Sequence, residues 1–98
     1  MAEFVAGMAD HIDMNGWIRN RYGGSSHAHC IAGAARCFLY ENDEYGTDIP
    51  IKKMDEIVHA LGFNSEGDLI IWNDTKVTSK SEAVDFLRRK SIEIARST

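Results

Sequence analysis

The stretch SSHAHCIAGAARC (residues 25–37) admits three readings: a metal site, a reactive thiol, or the tight start of a buried helix. Helical spacing favours the third. Cys30, Gly33, Ala34 and Cys37 fall at i, i+3, i+4 and i+7, a ridge of small side chains on one face. Such a ridge lets another helix approach closely, and a free cysteine serves there as a small hydrophobe. Glycine inside a helix costs up to about 1 kcal/mol relative to alanine, so close approach is a reason for Gly33 to be there. The expectation is a helix over residues 28–41, with Ile31, Ala34, Ala35, Phe38 and Leu39 inward and Ser25, Ser26 or His27 near its N-cap.

The other two readings fit less well. A thiol in the first turn of a helix feels the positive end of the dipole and ionises more readily. Here Cys30 has histidines close by, but His29, its neighbour in sequence, points about 100° away on a helix. Only His27, three residues back, or the distant His11 or His59 remains as a base, with no evident oxyanion donor. Zinc asks for four ligands in paired short spacings, and His27, His29, Cys30 and Cys37 offer no such pattern. No metal site and no cofactor are expected. The two cysteines would lie roughly 10 Å apart on one helix, beyond disulfide reach. Reduced thiols fit a cytosolic protein.

The flanking segments repeat the helical signal. In EFVAGMADHIDM (3–14), Phe4, Val5, Met8, Ala9 and Ile12 share a stripe, and Asn15-Gly16 stops it. A third helix is expected over 50–61, from Ile51, Met54, Ile57, Val58 and Leu61. Thr47 or Asp48 would cap it, Pro50 would sit in its first turn, and Gly62 would end it. The apolar run DLIIWND (68–74) suits a buried strand or a short helix. Ser65 and Asp68 form a capping pattern that favours helix. In a last helix, Ser79 and Glu82 make a capping box, with Val84, Leu87, Ser91, Ile94 and Ala95 inward and Phe86 widening that face. The expected core is Phe4, Val5, Met8, Ile12, Ile31, Ala34, Phe38, Ile57, Val58, Leu61, Ile70, Trp72, Val84, Leu87 and Ile94. Trp72 belongs to it, with Asn73 and Asp74 closing their helix through local backbone hydrogen bonds.

The chain has 98 residues, which fits one domain over 1–98. The fold class is mainly α, a single compact domain of four or five short helices, with room for a small β-hairpin near residues 17–27. The N-terminal stretch lacks a basic region and is interrupted by Glu3, Asp10 and Asp13, so it reads as neither signal peptide nor membrane span. Net charge is −4. Residues 1–75 carry 5 basic and 12 acidic side chains, a net of −7, whereas residues 76–98 carry 6 and 3, a net of +3. The acidic body argues against nucleic-acid binding. Arg88, Arg89, Lys90 and Arg96 suit the C-terminal end of their own helix.

Three pieces resemble, in order and spacing, a family of small uncharacterised proteins from actinobacteria and their phages, a domain of unknown function. They are NGW (15–17), CIAGA (30–34), and a tail of ALGF (60–63), WND (72–74), Thr78, Glu82, Ala83-Val84 and Leu87. The resemblance spans roughly residues 10–95. It implies a compact helical domain of phage or actinobacterial origin, and no activity. His29 stands where that family tends to have tryptophan or another hydrophobe, so it is no part of a shared function.

The functional expectation is a small cytosolic binding protein, phage-encoded and acting on a host macromolecule. The aromatic and basic loop WIRNRYGG (17–24) has the composition of an interaction hot spot. Arg19, Arg21 and Tyr22 are its candidate partner-binding residues, facing a protein partner or a second copy, with Trp17 tucked beneath. The alternative is a thiol-dependent enzyme or redox protein using Cys30 with His27.

Overall fold

In the computed structural model the helix boundaries at Gly16, Gly62, Ser65 and Ser79 fall where local chemistry places them. The structure describes residues 1–19, 30–35 and 51–97, without the side chains of 51 and 52. Five helices occur among them. These are α1 (Ala2–Asn15), α2 (31–35), α3 (Ile51–Ala60), α4 (Glu66–Thr75) and α5 (Lys80–Arg96).

α1 ends at Gly16, whose φ of 102° suits only glycine and whose N–H donates to the Ile12 carbonyl at 2.7 Å. α3 ends in a Schellman turn. Gly62, at φ 97°, donates to the His59 carbonyl, and the Phe63 N–H reaches back to the Val58 carbonyl, both at 3.0 Å. α4 resolves the ambiguity of residues 68–74 in favour of helix, its N-cap Ser65 Oγ accepting from the Asp68 N–H at 3.2 Å. α5 opens with half of the expected capping box. Ser79 Oγ accepts from the Glu82 N–H at 3.2 Å. The Glu82 carboxylate turns instead to Thr78, accepting from its N–H at 3.3 Å and from its hydroxyl.

α1 and α5 lie antiparallel. The Ser91 hydroxyl donates to the Ala2 carbonyl at one end, and Lys80 Nζ reaches the Asp13 carbonyl at the other. Arg88 spans Asp10 and Asp13 at 3.1 and 3.7 Å. These pairs are exposed and contribute little each; the seam is held by Val5, Met8, Ala9 and Ile12 of α1 with Ala83, Val84 and Leu87 of α5 in one continuous core.

α2 differs from its neighbours. All five of its described residues, 31–35, are buried, and so is Cys30 before it. A helix buried on every side is a core helix rather than a surface one. Small residues suit it, because it shares one core cluster with residues of α1, α3, α4 and α5 within a chain whose radius of gyration is 12.4 Å. The outcome is a single compact, mainly α domain.

Several sequence expectations need correction. Cys30 is not helical, so α2 begins at residue 31 and not at 28. No strand occurs among the described residues; Trp17 makes an isolated β-bridge, and residues 20–27 of the possible hairpin lie outside the described residues. Phe4, Ile70, Trp72 and Ile94 are only partly buried, while Leu69, Val77 and Asn73 are fully buried and were not expected. Ala95 is exposed, because α5 runs past the end of α1 there. The expected roles of Ser25, Ser26, His27, His29, Cys37, Phe38, Leu39, Thr47, Asp48, Pro50 and the Ile51 side chain lie outside the described residues.

Candidate partner-binding surface

Asn73 is the polar centre of the molecule. It is the one buried polar residue of the described core, and its amide uses its full hydrogen-bonding capacity. Oδ1 accepts from Trp17 Nε1 at 2.8 Å and from the Ile31 N–H at 3.2 Å. Nδ2 donates to the Ile18 carbonyl at 3.2 Å and to Asp74 Oδ1 at 3.0 Å. The residue therefore joins the segment after α1, the start of α2, and α4. It does not close its helix, as the sequence suggested: α4 continues to Thr75. A helical phase would have revealed it, since Leu69 and Asn73 stand at i and i+4 on the inward side.

Trp17 thus packs against the core with its polar edge satisfied. Arg19 follows it. Its guanidinium stacks 5.6 Å from the Trp17 ring centroid and donates to the Val77 carbonyl, through Nε at 2.9 Å and also through Nη2. The expected binding residue Arg19 is therefore anchored in the fold, and its cation lies close enough to Glu82 to help hold that carboxyl below its ordinary range. The larger causes are the hydroxyl and then the N–H of Thr78. Arg21 and Tyr22 lie outside the described residues.

Val77 leads to an open cleft on the surface. Trp72 and Phe86 stack with centroids 4.5 Å apart, and Phe63 backs both at 5.4 and 6.2 Å. All three are half-buried. Trp72, Val77 and Phe86 floor a shallow cleft of about 170 Å³, with Glu82, Asp85 and Arg89 around it. Ile71, beside Trp72 in sequence, is 61% exposed.

Cys30 is the N-cap of α2. Its Sγ accepts from the Gly33 N–H at 3.2 Å, and its carbonyl takes the first helical bond, from Ala34 at 2.8 Å. The thiol is 3% exposed. Burial pushes it above its ordinary value of 9.0, overriding the lowering by the Gly33 and Ala32 N–H groups, and the negative charge of Asp74 adds to the rise. The hydrogen bond to the Cys30 thiol comes from the Gly33 N–H, and His59 bonds the Asn64 carbonyl. No cluster of three metal-ligating side chains occurs among them either.

These facts make a prediction. A thiol whose pKa is raised by folding stabilises the fold below its unfolded value, and that contribution disappears as pH climbs through the folded value. Cys30→Ala should cost about 1 kcal/mol or somewhat more at neutral pH and should flatten the loss of stability above pH 9.0. Alkylation of Cys30 should be slow in the native protein and fast in denaturant. Rapid native alkylation at neutral pH would restore the case for a thiol enzyme.

Fold and surface together define a small, mainly α domain built around one polar clasp, with an open aromatic cleft at its side. A family model for DUF6197, a family of unknown function, matches residues 1–90, and the chain belongs to that family. No curated protein and no solved structure matches the chain. The clasp gives the three sequence pieces a physical meaning: Trp17, Ile31 and Asn73 come one from each and meet at a single amide. No helix of the described residues is long and apolar enough to cross a membrane.

Proposed function

We propose that this domain works by binding another protein, and that the contact centres on the cleft between α4 and α5. The observation that carries this reading is the half-open aromatic floor of Trp72 and Phe86 with Arg89 at its edge. Aromatic residues and arginine dominate the energetics of protein contacts when they gather in a pocket. The base of the 17–24 loop adjoins the same place, because Arg19 holds the carbonyl of Val77, which itself lines the cleft. Arg21 and Tyr22, two and three residues on from Arg19 in sequence, are the further candidates for this contact. The partner is a host macromolecule for a phage-encoded chain, met in a cytoplasm where Cys30 stays a free thiol.

The test is a pulldown or self-association assay run beside a thermal melt. Asp85→Trp, at an exposed helix position, should fill the cleft and abolish binding while the melt stays close to wild type. Arg21→Ala with Tyr22→Ala should weaken binding by about 2 kcal/mol or more. If both variants bind like wild type, the contact lies elsewhere.

A further inference from the structure

The cleft does not end at Arg89. Along the same side of α5 stand Ile92 and Arg96, at i+3 and i+7 from Arg89. Ile92 is 53% exposed, an apolar side chain set between two cations. The other bases of this helix are occupied. Arg88 pairs with Asp10 and Asp13, and Lys90 with Glu93 at 3.3 Å. Arg89 and Arg96 have no hydrogen-bond or ion-pair partner among the described residues. Two free guanidiniums thus flank an exposed isoleucine, continuous with an aromatic floor, on the segment of the chain whose net charge is positive.

We infer that this strip takes an acidic segment of a partner protein, with one apolar side chain in the Trp72–Phe86 cleft and carboxylates on Arg89 and Arg96. This rests on the binding role proposed above and names the chemistry of the partner. Arg89 and Arg96 are separated by about 10 Å of helix rise. A peptide in the polyproline-II conformation has three residues per turn and rises ~3.1 Å per residue, so carboxylates three residues apart share one side at about 9 Å and match the two cations. Guanidinium and carboxylate pair in a planar, bidentate way that an exposed site rewards with specificity. Nucleic acid fits the strip less well. Two free cations are few beside the roughly 6–10 phosphate contacts that support duplex binding, and Asp85 and Glu93 on the same helix would repel a phosphate backbone.

The test uses a fluorescein-labelled peptide containing Phe-Asp-Ala-Ala-Asp, with the apolar residue outside the two carboxylates as the cleft lies outside the two cations, its counterpart with lysine in place of each aspartate, and a duplex DNA oligomer. Binding is read by anisotropy and by amide shifts of the ¹⁵N-labelled protein. The acidic peptide should move the signals of Trp72, Arg89, Ile92 and Arg96, and bind roughly tenfold or more tighter than the lysine peptide. Added salt should weaken it. Arg89→Gln with Arg96→Gln should reduce its affinity by a similar factor while circular dichroism shows the fold intact. Equal or tighter binding of the lysine peptide overturns the acidic assignment and leaves the cleft itself in place. Tighter binding of the DNA at the same residues overturns it in favour of nucleic acid. If neither peptide binds, the assignment falls, and the Asp85→Trp pulldown separately decides whether the cleft is a contact at all.

Discussion

Asn73→Leu should destabilise the protein by about 3–5 kcal/mol. The leucine fits the space but returns none of the hydrogen bonds. Trp17 Nε1, the Ile31 N–H and the Ile18 carbonyl all lose their partner. Each buried group left unpaired costs about 1–3 kcal/mol, and only Trp17 and Ile18, half-buried, are within reach of rescue by water. Domains of this size are stable by roughly 5–15 kcal/mol in all, so a large part of the native margin goes. With about 4–8 °C of melting temperature per kcal/mol, the fall should be roughly 12–40 °C, read by circular dichroism. Asn73→Asp is the informative companion. It keeps the acceptor for Trp17 and Ile31, removes the donor to Ile18, and sets a carboxylate against Asp74. It should also destabilise the protein, by about 2 kcal/mol or more from the lost donor and like-charge contact. A loss below about 1 kcal/mol for the leucine variant would mean that the three segments hold together without the clasp.

Gly33→Leu should be nearly as damaging, costing about 3 kcal/mol or more. Gly33 lies in a helix whose described residues are all buried, so an added isobutyl group has nowhere to go without moving a neighbouring element. Gly33→Ala separates size from helix propensity. Alanine is favoured in a helix by up to about 1 kcal/mol, so an alanine variant less stable than wild type would show that even one methyl group lacks room. Urea titration of both variants measures this. A leucine variant with near-wild-type stability would show that α2 has an open side, contrary to its burial.

Much of the fold was legible because amphipathic periodicity is a local property. Val5, Met8, Ala9 and Ile12 identify α1, and Met54, Ile57, Val58 and Leu61 identify α3, from spacing alone. The stop at Gly62 and the caps at Ser65 and Ser79 were readable for the same reason: a capping side chain bonds to backbone within three residues of itself. The small residues of CIAGA announced close packing, and all of them are buried.

The site was less legible. Arg19 looked like a contact residue because its loop is aromatic and basic, yet its guanidinium binds a carbonyl 58 residues away. The Cys30 thiol, which spacing favoured as a packing group over a reactive one, is buried, and burial outweighs the backbone N–H groups around it.

The sequence by itself determined where α1 and α3 end, where α4 and α5 begin, and which sides α1, α3 and α5 turn inward, since each of those choices is settled within a turn or two of chain; it misplaced the start of α2 and the inward side of α4. The tertiary structure alone decided that Asn73, a polar residue in an apolar run, would become the clasp of three segments, and that Trp72 and Phe86 would meet as the floor of a cleft. Those outcomes depend on partners 56, 42 and 55 residues from Asn73. An amide can be buried only where all of its bonds are made, and whether they are made is known only once distant segments have been brought together.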